Sequence, residues 1–256
     1  MSKLTARDKF LDLSDYGRSF GKLLATLLKN TFITPVHITL LFGITGLVAV
    51  WFLLNDYLIF AGLFIVLKSG IDAADGELAR VKNTPSYFGR YLDSVFDIIL
   101  NFLFLFAIGY LAEESFFMII VSFFCVQLQG TLYNYYYVIL RNNSVGGDKT
   151  SKVFETSVPK ALPGESQKSV ALMFKIYAIV YGVFDKIIYA LDQNAYKVQS
   201  FPNWFMTFVS LYGLGFQLLI MAVMLACGYL HFIIPFFIFY SILLVIMIGV
   251  RKKWIK

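Results

Sequence analysis

Six long apolar runs, near residues 35–54, 57–81, 89–111, 115–140, 204–227 and 230–250, leave this chain few ways to fold. About 20 helical residues cross the roughly 30 Å hydrocarbon layer of a bilayer with their backbone polar groups paired internally. The chain is 59% hydrophobic and only 15% charged, whereas soluble domains are roughly 45–50% apolar and about 25% charged. The expected fold class is therefore an all-α polytopic membrane protein, a single integral membrane domain over residues 1–256. The longest polar stretch, about 141 to 169, is too short to bury a second core. The N-terminal sequence has charges throughout and no short apolar core before a cleavage site, so no removable signal is expected.

A seventh apolar segment, 170–193, is interrupted by Lys175, Asp185 and Lys186, and the distribution of basic residues decides its status. With six spans and a cytoplasmic N-terminus, the outer loops read "NDY", "AEES" and "CGYLH", and none contains Lys or Arg. Of 22 basic residues, 21 lie in the N-terminal arm, the 80–90 turn, the 141–204 region or the C-terminal "RKKWIK". Counting 170–193 as a span would send that last cluster outside, against the positive-inside bias. The expected organisation is thus an N-terminal arm over 1–30, spans one to four over 35–140, a cytoplasmic loop and an interfacial or re-entrant helix over 141–203, and spans five and six over 204–250. Both termini face the cytoplasm. In the arm, Leu4, Leu11, Tyr16, Phe20, Leu23, Leu24, Leu27 and Leu28 alternate with Lys3, Arg7, Lys9, Arg18, Lys22 and Lys29. That pattern suits an amphipathic interfacial helix on an anionic leaflet, or a helix packed on the spans, and the two are compatible. The net charge of +6 follows from the loop bias and gives no reason to expect nucleic acid. Cys125 and Cys227 are isolated in apolar runs and suggest neither a disulfide nor a zinc site.

Against this background "SGIDAADGELARVKNTPSYFGRYLDSVFDIIL" (69–100) stands out. At about 100° per residue, Asp72, Asp75, Gly76 and Ala79 share one face of the second span, and Gly89, Asp93 and Asp97 form one stripe of the third. Pro85 stops the second helix, and the short turn makes the two helices antiparallel neighbours. Each Asp costs roughly 2.5–3.5 kcal/mol to place within a membrane, and such residues normally face a cavity and mark function. Four converging carboxylates repel one another unless cations neutralise them. Oxygen ligands suit Mg²⁺ or Mn²⁺, two such ions would balance four carboxylates, and paired metals serve displacement at phosphorus. A structural alternative pairs the aspartates with Arg80, Lys82 and Arg90. Lys68, one turn deeper than Asp72, is open to both structural pairing and phosphate contact.

The pattern D72-x2-D75-G76-x2-A79-R80-x8-G89-x3-D93-x3-D97 resembles, position for position, the signature of the CDP-alcohol phosphotransferase (phosphatidyltransferase) family. Six spans and an N-terminal surface helix are also that family's architecture. "TPVHITLLFGI" (34–44) is similar to the family's start of the first span, with Pro35 and Thr39 kept and Val36 where Asn is usual. The resemblance implies that Asp72, Asp75, Asp93 and Asp97 hold two divalent metals, Mg²⁺ or Mn²⁺. It implies that Gly76, Ala79, Arg80 and Gly89 shape the cytidine and diphosphate site, and that Asp97 is the general base toward the acceptor hydroxyl. The expected enzyme moves a substituted phosphate group from a CDP-alcohol donor to an alcohol acceptor and releases CMP, as a phospholipid-synthesising transferase. CDP-diacylglycerol is the favoured donor; the alternative is a CDP-linked small alcohol with diacylglycerol as acceptor. Membrane lipids and a second copy of the chain, as a homodimer, are the expected partners, with the active site at the cytoplasmic face of a bacterial or archaeal inner membrane.

Two other classes compete: a prenyltransferase-like metal enzyme, which would lack the glycine-alanine-arginine pattern, and a cation transporter, which would need further carboxylates along a path. "GGDKTSK" (146–152) lacks the first glycine and preceding strand of a phosphate-binding loop. "NNS" (142–144) fits a glycosylation sequon on the wrong side, His37 and His231 suit span ends, and "YNYYY" (133–137) suits interfacial packing. The loop 141–168, with Arg141, Asp148, Lys149 and Lys152, reads either as a solvated loop or as a lid that selects the acceptor.

Overall fold

A computed structural model describes residues 4, 8–144 and 155–255. Asp148, Lys149, Lys152 and Lys256, on which the lid and part of the topology depend, lie outside the described residues, as do Lys3 and Arg7. Ten α-helices and no strand occur among the described residues. They are α1 (Arg18–Leu28), α2 (Pro35–Leu54), α3 (Leu58–Lys82), α4 (Tyr87–Leu111) and α5 (Phe116–Asn143), then α6 (Gln167–Leu191), α7 (Asn203–Val209), α8 (Leu214–Ala226), α9 (Ile233–Tyr240) and α10 (Ile242–Trp254).

Local chemistry sets the helix ends. Thr34 caps α2 by accepting from the His37 N–H, and His37 Nδ1 accepts the Thr34 N–H in return, with Pro35 in the first turn. His37 is therefore a capping residue. Helix α3 stops at Asn83, which takes a left-handed conformation (φ 53°), and the Thr84 N–H returns to the Ala79 carbonyl at 3.0 Å. Ser86 then starts α4 by accepting the Gly89 N–H at 2.7 Å.

By length and apolar character, four of the described segments qualify as membrane spans: Pro35–Leu54, Tyr87–Leu111, Phe116–Asn143 and Leu230–Trp254. Asn203–Tyr212 with Leu214–Ala226, bent by 53°, makes a fifth. The outer surface shows large apolar side chains such as Ile44, Leu63, Phe117, Phe239 and Val245, a surface suited to acyl chains rather than water. The chain is a multi-pass integral membrane protein. Helix α3 is as long as α4 but carries Lys68, Asp72, Asp75, Glu77, Arg80 and Lys82, too much charge for composition alone to mark it.

One core joins α2, α3, α4, α8 and α9 around Phe42, Ile65, Phe104, Met221 and Phe237. A second gathers Tyr136, Phe205, Tyr212 and Ile248, and a third packs α6 on α4 through Tyr91, Val170 and Phe174. Buried Asp192, after α6, is ion-paired with Arg251 of α10 and accepts from the Tyr136 hydroxyl at 2.7 Å. The tyrosines of 133–137 are packing residues: Tyr133 donates to Asp12 at 2.5 Å, and Tyr137 meets the edge of Phe10.

The N-terminal segment departs from one long amphipathic helix. Among the described residues, Leu13–Asp15 form a 3-10 turn and the α-helix of this segment is Arg18–Leu28. The turn wedges against the break between α7 and α8: the Leu13 N–H donates to Ser210 Oγ at 3.0 Å, and Ser14 occupies the space where Gly213 and Gly215 lack a Cβ. Helix α1 lies directly on α3, because a Cβ on Gly21 would stand 2.8 Å from the Ala73 carbonyl carbon. Its other side leaves Leu23 and Leu27 exposed, while the partly exposed Phe20 lies against Gly70 of α3.

Candidate active site

The acidic residues of α3 and α4 face each other just beyond the turn that joins the two helices. Asp72, Asp75 and Asp93 each offer a carboxylate oxygen, and these three oxygens lie within 4.8 Å of one another. Asp75 is held from α2, whose Thr39 hydroxyl donates to Asp75 Oδ2 at 2.8 Å. Asp93 Oδ1 is buried and has no hydrogen-bond partner. A buried carboxylate oxygen without a partner is costly unless a cation or donor reaches it. Three carboxylates this close, one of them with a buried oxygen left unpaired, fit a hard divalent cation of the Mg²⁺ or Mn²⁺ kind.

The fourth aspartate is arranged differently. Asp97, one helical turn after Asp93, is bonded through Oδ1 to the Lys68 ammonium, which also donates to Asp72 Oδ2 at 2.7 Å. Lys68 is fully buried, and its ammonium sits 4.4 Å above the Phe42 ring. Of the two roles open for Lys68, the structure shows pairing. The other basic residues of the motif region bind elsewhere: Arg80 to Glu77 at 2.9 Å, Arg90 to Glu155 at 2.6 Å, and Lys82 to the carbonyls of Thr31 and Ile33 at 2.7 Å each.

The small residues leave the site open. A Cβ on Gly76 would lie 3.5 Å from Arg80 Nη1, so the guanidinium lies across the glycine. Ala79 is half-buried one turn on. A Cβ on Gly89 would stand 3.1 Å from Ser86 Oγ and 3.7 Å from Val36 Cγ2. Val36, where a polar side chain is usual, thus faces Gly89 with a methyl group. The rim is closed by residues after 154: Glu165 accepts from the Ser86 hydroxyl and the Phe88 N–H at 2.8 Å each, fastening this segment to the start of α4.

Thr39 and Glu77 were not among the sequence-predicted site residues. Thr39 was legible only as part of the "TPVHITLLFGI" pattern, and Glu77 gave no signal beyond being an acid inside a span.

No curated protein matches the chain in a search of such proteins. A family model described as CDP-alcohol phosphatidyltransferase matches residues 32–252, nearly the whole chain. Members of that family generally depend on divalent metals and transfer a phosphate-linked group from a CDP-alcohol to an acceptor. The chain belongs to the CDP-alcohol phosphatidyltransferase family and is a transferase that uses CDP-alcohol substrates.

Proposed function

We propose that this enzyme transfers a substituted phosphate group from CDP-diacylglycerol to a polar alcohol at the cytoplasmic face of the membrane, releasing CMP. The observation that carries the reading is the convergence of Asp72, Asp75 and Asp93, the last with a buried unpaired oxygen, together with the Arg80 guanidinium lying against Gly76. Asp72, Asp75, Asp93 and Asp97 would hold two divalent ions, Mg²⁺ or Mn²⁺. Bound there, the metals supply charge neutralisation on the diphosphate and on the departing CMP.

The chain's own side chains do the rest. Thr39 fixes the rotamer of Asp75 from the neighbouring helix. Arg80 offers two parallel donors to a phosphate, which a lysine cannot. Gly76, Ala79 and Gly89 keep the wall low enough for the nucleotide to approach the backbone. Lys68 holds one oxygen of Asp97, and the other would take the proton of the acceptor hydroxyl.

Six spans with both ends cytoplasmic remain our topology. Helix α3, 25 residues and about 37 Å at 1.5 Å per residue, is long enough to cross. The N-terminal part of α6 packs on Tyr91 near the start of α4, while Asp192 after its end meets Tyr136 and Arg251 near the ends of α5 and α10. Both ends of α6 thus meet the same end of the bundle, which supports an interfacial helix rather than a seventh span. The exposed Leu23 and Leu27 support lipid contact by α1.

Purified protein in detergent with Mn²⁺, given either CDP-diacylglycerol or a CDP-linked small alcohol with diacylglycerol, tests the reading. CMP release from the first donor in the presence of polar alcohols is the expected result. Release from the second alone would reverse the donor assignment, and release from neither would overturn the proposed function.

A further inference from the structure

Glu77 lies in the middle of the motif without belonging to it, and it is buried in a helix that crosses apolar surroundings. A buried carboxylate must be paired, and one arginine is enough to pair it. Glu77 has two, on the same oxygen: Oε1 accepts from Arg18 Nε at 3.0 Å and binds Arg80 Nη2 at 2.9 Å. Arg18 continues outward to Asp15 at 3.1 Å. The result is a row of alternating charges, Asp15–Arg18–Glu77–Arg80, running from the N-terminal segment into α3. It ends on the guanidinium that lies across Gly76.

The last member of the row is only partly used. Arg80 spends Nη2 on Glu77, its Nε is buried without a partner, and its Nη1 lies over Gly76. One edge of the planar group is therefore pinned while N–H donors remain for a ligand. A guanidinium held in one plane loses less freedom when it binds a diphosphate than one that must first be ordered.

We infer that Glu77 is a positioning residue for nucleotide binding, fixing Arg80 over Gly76, and that Arg18 of α1 completes the support. The inference rests on the proposed nucleotide site around Arg80. It makes the N-terminal helix part of the donor-binding apparatus rather than only a surface element. A purely structural Glu77 would fasten α1 to α3 and affect stability alone; a Glu77 acting simply as a negative charge near the site would oppose an anionic ligand.

Calorimetric titration of CDP into the Mn²⁺-loaded protein separates these roles. Glu77→Gln is expected to weaken CDP binding about tenfold, the scale of losing one preorganised donor, without changing Mn²⁺ affinity of the nucleotide-free protein. Arg18→Gln should weaken it in the same direction by less. In an Arg80→Lys background, Glu77→Gln should add nothing further, because the fork it positions is gone. Unchanged or tighter CDP binding in Glu77→Gln, or an equal loss in the Arg80→Lys background, overturns the inference while leaving the proposed function standing. Should Glu77→Gln fail to fold, Arg18→Gln alone decides: its arginine is 26% exposed, and unchanged CDP binding there overturns the inference. Absence of CDP binding by the wild type would overturn the nucleotide site and this inference together.

Discussion

Lys68 and Asp93 present opposite electrostatic situations within one cluster. The lysine is buried yet satisfied by Asp72 and Asp97, whereas Asp93 carries a buried oxygen with no partner. Replacing Lys68 by Met would leave two carboxylates facing one another with nothing between them. Breaking such a pair costs about 3–5 kcal/mol, so thermal unfolding of Lys68→Met in EDTA should shift well below wild type. Mn²⁺ should restore much of that loss, because a divalent ion supplies the missing charge; a shift that Mn²⁺ leaves untouched would count against the reading. The glycines, aspartates and arginine of the motif were legible because each chemistry sits at a fixed helical spacing. The Thr39–Asp75 and Glu77–Arg18 contacts were not, since they join α2 and α1 to α3 and no spacing within α3 reveals them.

At the scale of elements, close backbone approach decides the position of α1. Gly21→Ala would push a methyl group into the backbone of Ala73, and overpacking of this kind typically costs about 1–3 kcal/mol. Gly182, near the middle of α6, has open space where a Cβ would stand, with nothing within 4 Å, so Gly182→Ala should be neutral or stabilise by about 0.5–1 kcal/mol. Unfolding of the two variants in detergent checks the contrast, and equal effects would contradict the docking of α1 on α3. Helix existence and most boundaries could be read from apolar run length, Pro35, Pro85 and the capping residues. The break at Gly213 could not, because the residue packed into it is Ser14, almost 200 residues away in sequence.

For the whole molecule, the bias of basic residues predicts which face is cytoplasmic, and the exposed Cys227 offers a native probe. It lies in the turn after α8, in a predicted outer loop without Lys or Arg. A membrane-impermeant maleimide should label wild-type protein in intact cells and fail to label Cys227→Ser. A cysteine placed at Lys160 should react only after permeabilisation, and labelling at Lys160 from outside would break the six-span arrangement. The multi-pass character was legible from composition alone. The status of α6 was legible only through the distribution of basic residues, since its interrupted apolar pattern alone fits a span as well as a helix that does not cross.

The central claim, a metal-dependent transfer centred on the three convergent aspartates, is tested most directly by measuring CMP released from CDP-diacylglycerol by purified protein with a panel of polar alcohols. Wild type in Mn²⁺ should release CMP, EDTA should stop it, and folded Asp93→Asn should fall below about 1% of wild type, the scale expected when transition-state charge stabilisation is lost. Full activity in EDTA, or in Asp93→Asn, would contradict the account.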